Sequence, residues 1–203
     1  FILLLLEIMF NVEWFDRVFI KKDGNCMFHA INSCLNEQLT NCRRKRSGAP
    51  VNKELSIKED ELSKSLRSVV VTYMDIHRKK FDNALSYDGE IYESINDRIV
   101  NMLNVGEYGG DLELYIISKI YKIQINVFVK NFNGFNLVSK IGKDSSLICN
   151  LFYDQHHYEP LILKEDYKKD FKKSLKQWIK ENPIIDFEEI VSSEHSDSDY
   201  EII

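Results

Sequence analysis

The sequence predicts an α+β domain with helices packed around a small, mostly antiparallel sheet. Apolar residues at helical spacing run through the chain as far as Tyr121. Four strand-like runs then cluster between Ile123 and Leu163, two of them joined by Asn133-Gly134, a strong hairpin signal. Because helices precede strands instead of alternating with them, a regular α/β fold is disfavoured. A length of 203 residues, 44% of them hydrophobic, suits one core.

The opening run Phe1 to Phe10 (FILLLLEIMF) is apolar but interrupted by Glu7. It falls far short of the roughly 20 residues a membrane-spanning helix needs, and no membrane association is expected. With no basic segment before it and no small-residue cleavage site, it reads as a helix packed on the domain and not as a targeting remnant. The chain lacks an initiating Met and reads as a fragment.

After the turn-like Lys21 to Asn25 (KKDGN), Met27, Ala30, Ile31, Cys34 and Leu35 predict a helix over Cys26–Leu39, with Cys26 in its first turn. Thr40 to Ser56, with basic residues, a Gly and a Pro, reads as a surface loop. A long helix is expected over Lys58–Leu85 and another over Glu90–Leu103, after the Asp88-Gly89 turn. Then GEYGGDLELYIISKIYK gives a glycine loop and a helix capped by Asp111. Strands are expected at Ile123–Val129, Phe135–Lys140, Ser146–Tyr153 and Tyr158–Leu163. A charged helix over Glu165–Lys180 ends before Pro183, and from Asp186 onward the chain is acidic, Ser-rich and expected to be disordered.

Net charge is −5, and basic residues are interspersed with acidic ones, which argues against a nucleic-acid partner. Cys26, Cys34, Cys42 and Cys149 form neither a CxxC pair nor a Cys/His cluster. No metal site, cofactor or disulfide framework is indicated; reduced thiols point to the cytoplasm or nucleus.

One constellation could do chemistry. A thiolate is favoured at a helix N-terminus and beside an imidazolium, and Cys26 meets the first condition. The N–H groups of Gly24, Asn25 and Cys26 could form an oxyanion hole. Of the five histidines, His195 lies in the acidic tail, His77 in a long charged helix, and His29 one turn along the helix of Cys26. His156 and His157 remain, at the mouth of the last strand, and packing does not choose between them. Glu159, two residues beyond His157 and on its face, could orient that ring; the equivalent neighbour of His156 is Tyr158, which carries no charge. Against this stands the bland reading, in which Cys26 is a small core residue and the histidines belong to a solvated turn.

These residues carry a family resemblance. DGNCMFHAI (Asp23 to Ile31), GEYGGDLEL (Gly106 to Leu114) and NLFYDQHHYEPLI (Asn150 to Ile162) resemble, in order, the three signature segments of the ovarian-tumour (OTU) cysteine proteases. The resemblance implies a papain-like cysteine protease fold that cleaves the bond after the C-terminal Gly-Gly of ubiquitin or polyubiquitin, with Cys26 as nucleophile. It selects His157 as the base, because that histidine directly precedes Tyr158. Glu159 departs from the Asn or Asp usual in the family, so either it or Asp23 is the third catalytic group. Tyr108, Gly109 and Gly110 are expected to line the channel for the substrate's glycines, and Glu113 and Leu114 to be structural. The implied organisation is an apolar segment over 1–11, a monomeric catalytic domain over 12–181 and a tail over 182–203. The alternatives are a ubiquitin-binding module without activity, or a protease for another ubiquitin-like modifier.

Overall fold

A computed structural model of the chain describes residues 9–47, 55–81 and 94–182. Strand β1 (Met9–Phe10), a 3-10 turn at Val12–Trp14 and β2 (Phe15–Arg17) open it. Among the described residues five helices follow: α1 (Cys26–Ser47), α2 (Leu55–Ile76), α3 (Arg78–Phe81), α4 (Ile95–Met102) and α5 (Asp111–Tyr121). Strands β3 (Gln124–Asn131), β4 (Gly134–Ile141), β5 (Ile148–Asp154) and β6 (His157–Leu163) come next, and α6 (Lys168–Glu181) closes the described chain.

The strands form one six-stranded sheet in the order β1-β4-β3-β5-β6-β2. Every pairing is antiparallel except β3 with β5. Residues 142–147 swing the chain from β4 past the start of β3, where Gln124 pairs with Ile148. Gly142 makes that swing in the left-handed region (φ 83°), and a Cβ there would sit 2.0 Å from Ser118 Oγ.

Side chains alternate faces along each strand, so the sheet divides the core in two. Ile125, Val127, Cys149 and Leu151 face α1, α2, α4 and α5. Phe128 and Phe152 point the other way, joining Phe10, Phe15, Phe135, Leu161 and the apolar stripe Phe171, Leu175, Trp178 of α6. The α+β architecture and all four expected strands are present.

Several expectations change in detail. Met9 and Phe10 form an edge strand on β4, and Phe10 is fully buried, so this end of the apolar segment is an integral part of the sheet and core and not a helix lying outside residue 12. Helix α1 runs to Ser47 through residues expected to be loop: TNCRRKRS holds no helix breaker before Gly48. The helix expected over Lys58–Leu85 ends at Ile76, with the separate turn α3 beyond it. The N-cap of α5 is Gly110, one residue before the expected Asp111; the Glu113 carboxylate reaches back to accept the Gly110 N–H at 2.7 Å. The Asp88-Gly89 turn, most of the apolar opening run and the acidic tail beyond Asn182 lie outside the described residues.

Candidate active site

The turn ahead of α1 is built around Asp23. Its carbonyl accepts the Cys26 N–H at 3.0 Å and its Oδ1 accepts the Asn25 N–H at 2.9 Å, so one residue caps the helix twice. Gly24 is sterically required: a Cβ there would lie 2.1 Å from the carbonyl carbon and oxygen of Gly106. Two of the three N–H groups expected to form an oxyanion hole, those of Asn25 and Cys26, are therefore engaged by Asp23 in this state.

Cys26 Sγ donates to the carbonyl of His156 at 3.8 Å, so the sulfur lies against the backbone next to His157. Only 1% of Cys26 is exposed. Burial pushes its thiol above the ordinary value; the N–H groups of Tyr158 and Met27 oppose the shift, and the Asp23 charge adds to it. Being at a helix N-terminus, the one condition for a thiolate that the sequence met, is therefore not enough here, because desolvation of a thiolate outweighs a few N–H dipoles. Gln155 and His156 both have positive φ, 46° and 69°, and make the two-residue turn from β5 to β6. That strained conformation turns the His156 carbonyl onto the sulfur, while the exposed His156 ring lies 6.5 Å, centroid to centroid, from Tyr108.

His157 opens β6 and is buried. Its Nε2 lies 3.3 Å from Oε1 of Glu159, two residues on along the same strand face. Its buried Nδ1 has no hydrogen-bond partner. Glu159, 2% exposed, holds its second oxygen toward Arg17 of β2, whose Nε donates to it. Arg17 also stacks on Phe152, its Cζ 4.4 Å from the ring centroid. The strand runs on through Pro160 to Leu163. Two other described histidines are occupied elsewhere: His29 Nδ1 lies 2.9 Å from Ser63 Oγ, and His77 packs on Tyr73, while His195 lies outside the described residues.

Tyr108, Gly109 and Gly110 line a cavity of about 310 Å³, together with Val138, Tyr153, His156 and Tyr158. A Cβ on Gly109 would meet Met27 Cε at 2.4 Å, so this glycine lets the loop lie close over the first turn of α1. Two buried arginines anchor the loop from beneath. Arg98 of α4 forks onto Glu113 at 2.9 and 2.7 Å and donates to the Tyr108 carbonyl at 3.2 Å. Arg67 of α2 donates to the carbonyls of Glu107 (2.7 Å) and Gly24 (2.6 Å) and to Asn25 Oδ1 (3.0 Å). Neither arginine, nor Arg17, was marked by sequence spacing; the one available signal was a charged residue on the apolar stripe of each of α2 and α4.

The description OTU-like cysteine protease belongs to the family model that matches residues 21–158, more than half of the chain. A Tipula iridescent virus protein named as a ubiquitin thioesterase is 25% identical over 164 residues, 77% of this chain and 17% of that protein. The chain thus spans about a sixth of the length of that curated relative. Among solved structures, the viral OTU domain protease of Dera Ghazi Khan virus aligns with a TM-score of 0.54 at 23% identity, covering 77% of this chain and 86% of its own. The Hazara virus OTU bound to ubiquitin aligns with a TM-score of 0.54 at 17% identity, covering 78% and 87%. At these identities the structural likeness speaks for a shared fold.

Proposed function

Because this chain belongs to the OTU-like cysteine protease family, we propose that it is a deubiquitinase hydrolysing the isopeptide or peptide bond after the C-terminal Gly-Gly of ubiquitin. The observation that supports this reading most is the setting of Cys26. Its sulfur touches the His156 carbonyl, and the next residue offers a buried imidazole with one nitrogen on Glu159 and the other unpartnered.

In the proposed reaction His157 Nδ1 takes the thiol proton, and the thiolate adds to the carbonyl carbon of the substrate's last glycine. The imidazolium then gives that proton to the departing amine as the C–N bond breaks, leaving a thioester. Water, deprotonated by the same ring, cleaves the C–S bond, and the thiol recovers its proton. Glu159 fixes the tautomer and supports the imidazolium, with Arg17 holding the carboxylate in place. Asp23 braces the nucleophile turn, and the Gly24, Asn25 and Cys26 N–H groups serve as the oxyanion hole once substrate has drawn the latter two from Asp23. Tyr108, Gly109 and Gly110 admit the substrate's glycines, for which residues without side chains leave room. The catalytic unit comprises 12–181 together with the Met9–Phe10 strand, works as a monomer and acts in the cytoplasm or nucleus. Among the described residues no helix is long and apolar enough to cross a membrane.

The experiment is labelling by ubiquitin bearing a C-terminal electrophile. Wild type is expected to form the adduct and Cys26→Ala to form none; labelling that persists in the variant rejects the assignment. The burial of Cys26 favours one competing reading, a module that binds ubiquitin without cleaving it. Measurable binding with no turnover of any di-ubiquitin would establish that reading instead. Probes built on other ubiquitin-like modifiers decide which modifier is the substrate.

A further inference from the structure

Arg67 is 3% exposed, yet its guanidinium donates to neutral acceptors: Asn25 Oδ1 at 3.0 Å, the carbonyls of Gly24, Met102, Val105 and Glu107 at 2.6, 3.2, 3.4 and 2.7 Å, and the Met102 sulfur at 2.8 Å. Its Cζ lies 4.5 Å from the ring centroid of Phe28, two residues past the nucleophile. A buried cation is costly, and this one faces the backbone of the two segments that meet at Cys26.

The consequence follows from peptide planarity. In a trans peptide the C=O and the next N–H point in opposite directions. With the Gly24 carbonyl held on Arg67, the Asn25 N–H must point to the other side of the turn. There it meets Asp23 Oδ1 at 2.9 Å, and the charge of that carboxylate acts on the Cys26 sulfur. A cation on the carbonyl also polarises the unit and strengthens the N–H as a donor.

We propose that Arg67 is a positioning residue for the hydrolytic step, fixing and polarising the Gly24–Asn25 peptide so that its N–H can stabilise the oxyanion. This rests on the protease reading above. The fork is essential, because a lysine carries the charge but cannot hold Gly24, Asn25 and the Glu107 carbonyl together.

The test separates chemistry that needs an oxyanion hole from chemistry that does not. Hydrolysis of a ubiquitin C-terminal aminocoumarin amide passes through a tetrahedral oxyanion, whereas alkylation of Cys26 by iodoacetamide is a displacement with no such intermediate. Arg67→Lys is expected to lower kcat for hydrolysis by about 100-fold, the scale of losing one oxyanion donor. Alkylation of Cys26, followed by peptide mass spectrometry, is expected to stay within about twofold of wild type. In Arg67→Ala, added methylguanidinium is expected to restore part of kcat. Unchanged kcat in Arg67→Lys overturns the proposal. So do equal losses of hydrolysis and alkylation without methylguanidinium rescue, which would make Arg67 merely structural. A wild-type chain that releases no coumarin would defeat the protease reading, whereas an active wild type matched by Arg67→Lys would defeat the Arg67 assignment alone.

Discussion

The guanidinium of Arg17 on β2 and the carboxylate of Glu159 on β6 are joined across neighbouring strands, and the same carboxylate meets His157 Nε2 with its other oxygen. The edge strand β2 thus tethers the carboxylate that meets the imidazole. Glu159→Gln keeps the shape and removes the charge; kcat is expected to fall about 10- to 100-fold, against about 1000-fold or more for His157→Ala. Arg17→Met, which leaves a buried carboxylate without its cation, is expected to lower kcat by up to about tenfold. Steady-state kinetics on a fluorogenic ubiquitin substrate checks all three.

The reactivity of Cys26 should be strongly pH-dependent. A thiol held above its ordinary value is protonated at neutral pH, so alkylation climbs as pH rises and levels only beyond the normal thiol range. The Asp23 charge contributes to that shift. Asp23→Asn keeps an oxygen for the Asn25 N–H and removes the charge, so the midpoint of the alkylation profile is expected to move to lower pH. A midpoint that stays or rises would show that the carboxylate does not act on the sulfur.

Two glycines should respond differently to alanine. At Gly24 the new Cβ would press on the backbone of Gly106, which cannot step aside, whereas at Gly109 it meets the flexible end of Met27. Gly24→Ala is expected to abolish labelling by the ubiquitin electrophile and to lower the melting temperature. Gly109→Ala is expected to cost about 1–3 kcal/mol, as overpacking does, and to leave a folded protein. Thermal unfolding and labelling of the pair decide it.

Arg98→Met would strand Glu113, which is fully buried and also caps α5. A loss of about 3–5 kcal/mol in urea unfolding is expected, the usual scale for removing one partner of a buried ion pair. Replacing both residues with apolar ones should cost less than the single change.

Phe10→Ala removes a ring packed 5.2 Å from Phe128 and 5.5 Å from Phe171, centroid to centroid. A loss of about 3–5 kcal/mol is expected from the cavity left behind. Truncation before Val12 should cost at least as much, since β1 would go with the ring.

The sheet and the central helices were legible because their patterns are long: alternation and the Asn133-Gly134 turn mark β3 and β4, and helical spacing marks α1 and α2. Strands β1 and β2, of two and three residues, carry too few alternations to register, and their pairing with β4 and β6 is a long-range event. Within the site, the placing of His157 and Glu159 on one face followed from the two-residue period of a strand. Arg67 and Arg17 left no such trace. Arg67 binds backbone carbonyls, which every residue has, and Arg17 meets a carboxylate 142 positions away, so neither partnership has a spacing to read. Burial of Cys26 was open in the sequence as the core-residue alternative, but the contact of its sulfur with the Gln155-His156 turn was not legible.

Cys26 follows the second strand of the sheet, whereas His157, Glu159 and the turn that covers the sulfur come from its last hairpin. A chain emerging from the ribosome therefore carries the proposed nucleophile long before the proposed base, and closure of the intervening loop is slow because so distant a contact must form. A thiol protease built this way, as proposed above, would stay inert until that contact forms. The candidate site is complete only once β6 has docked between β5 and β2.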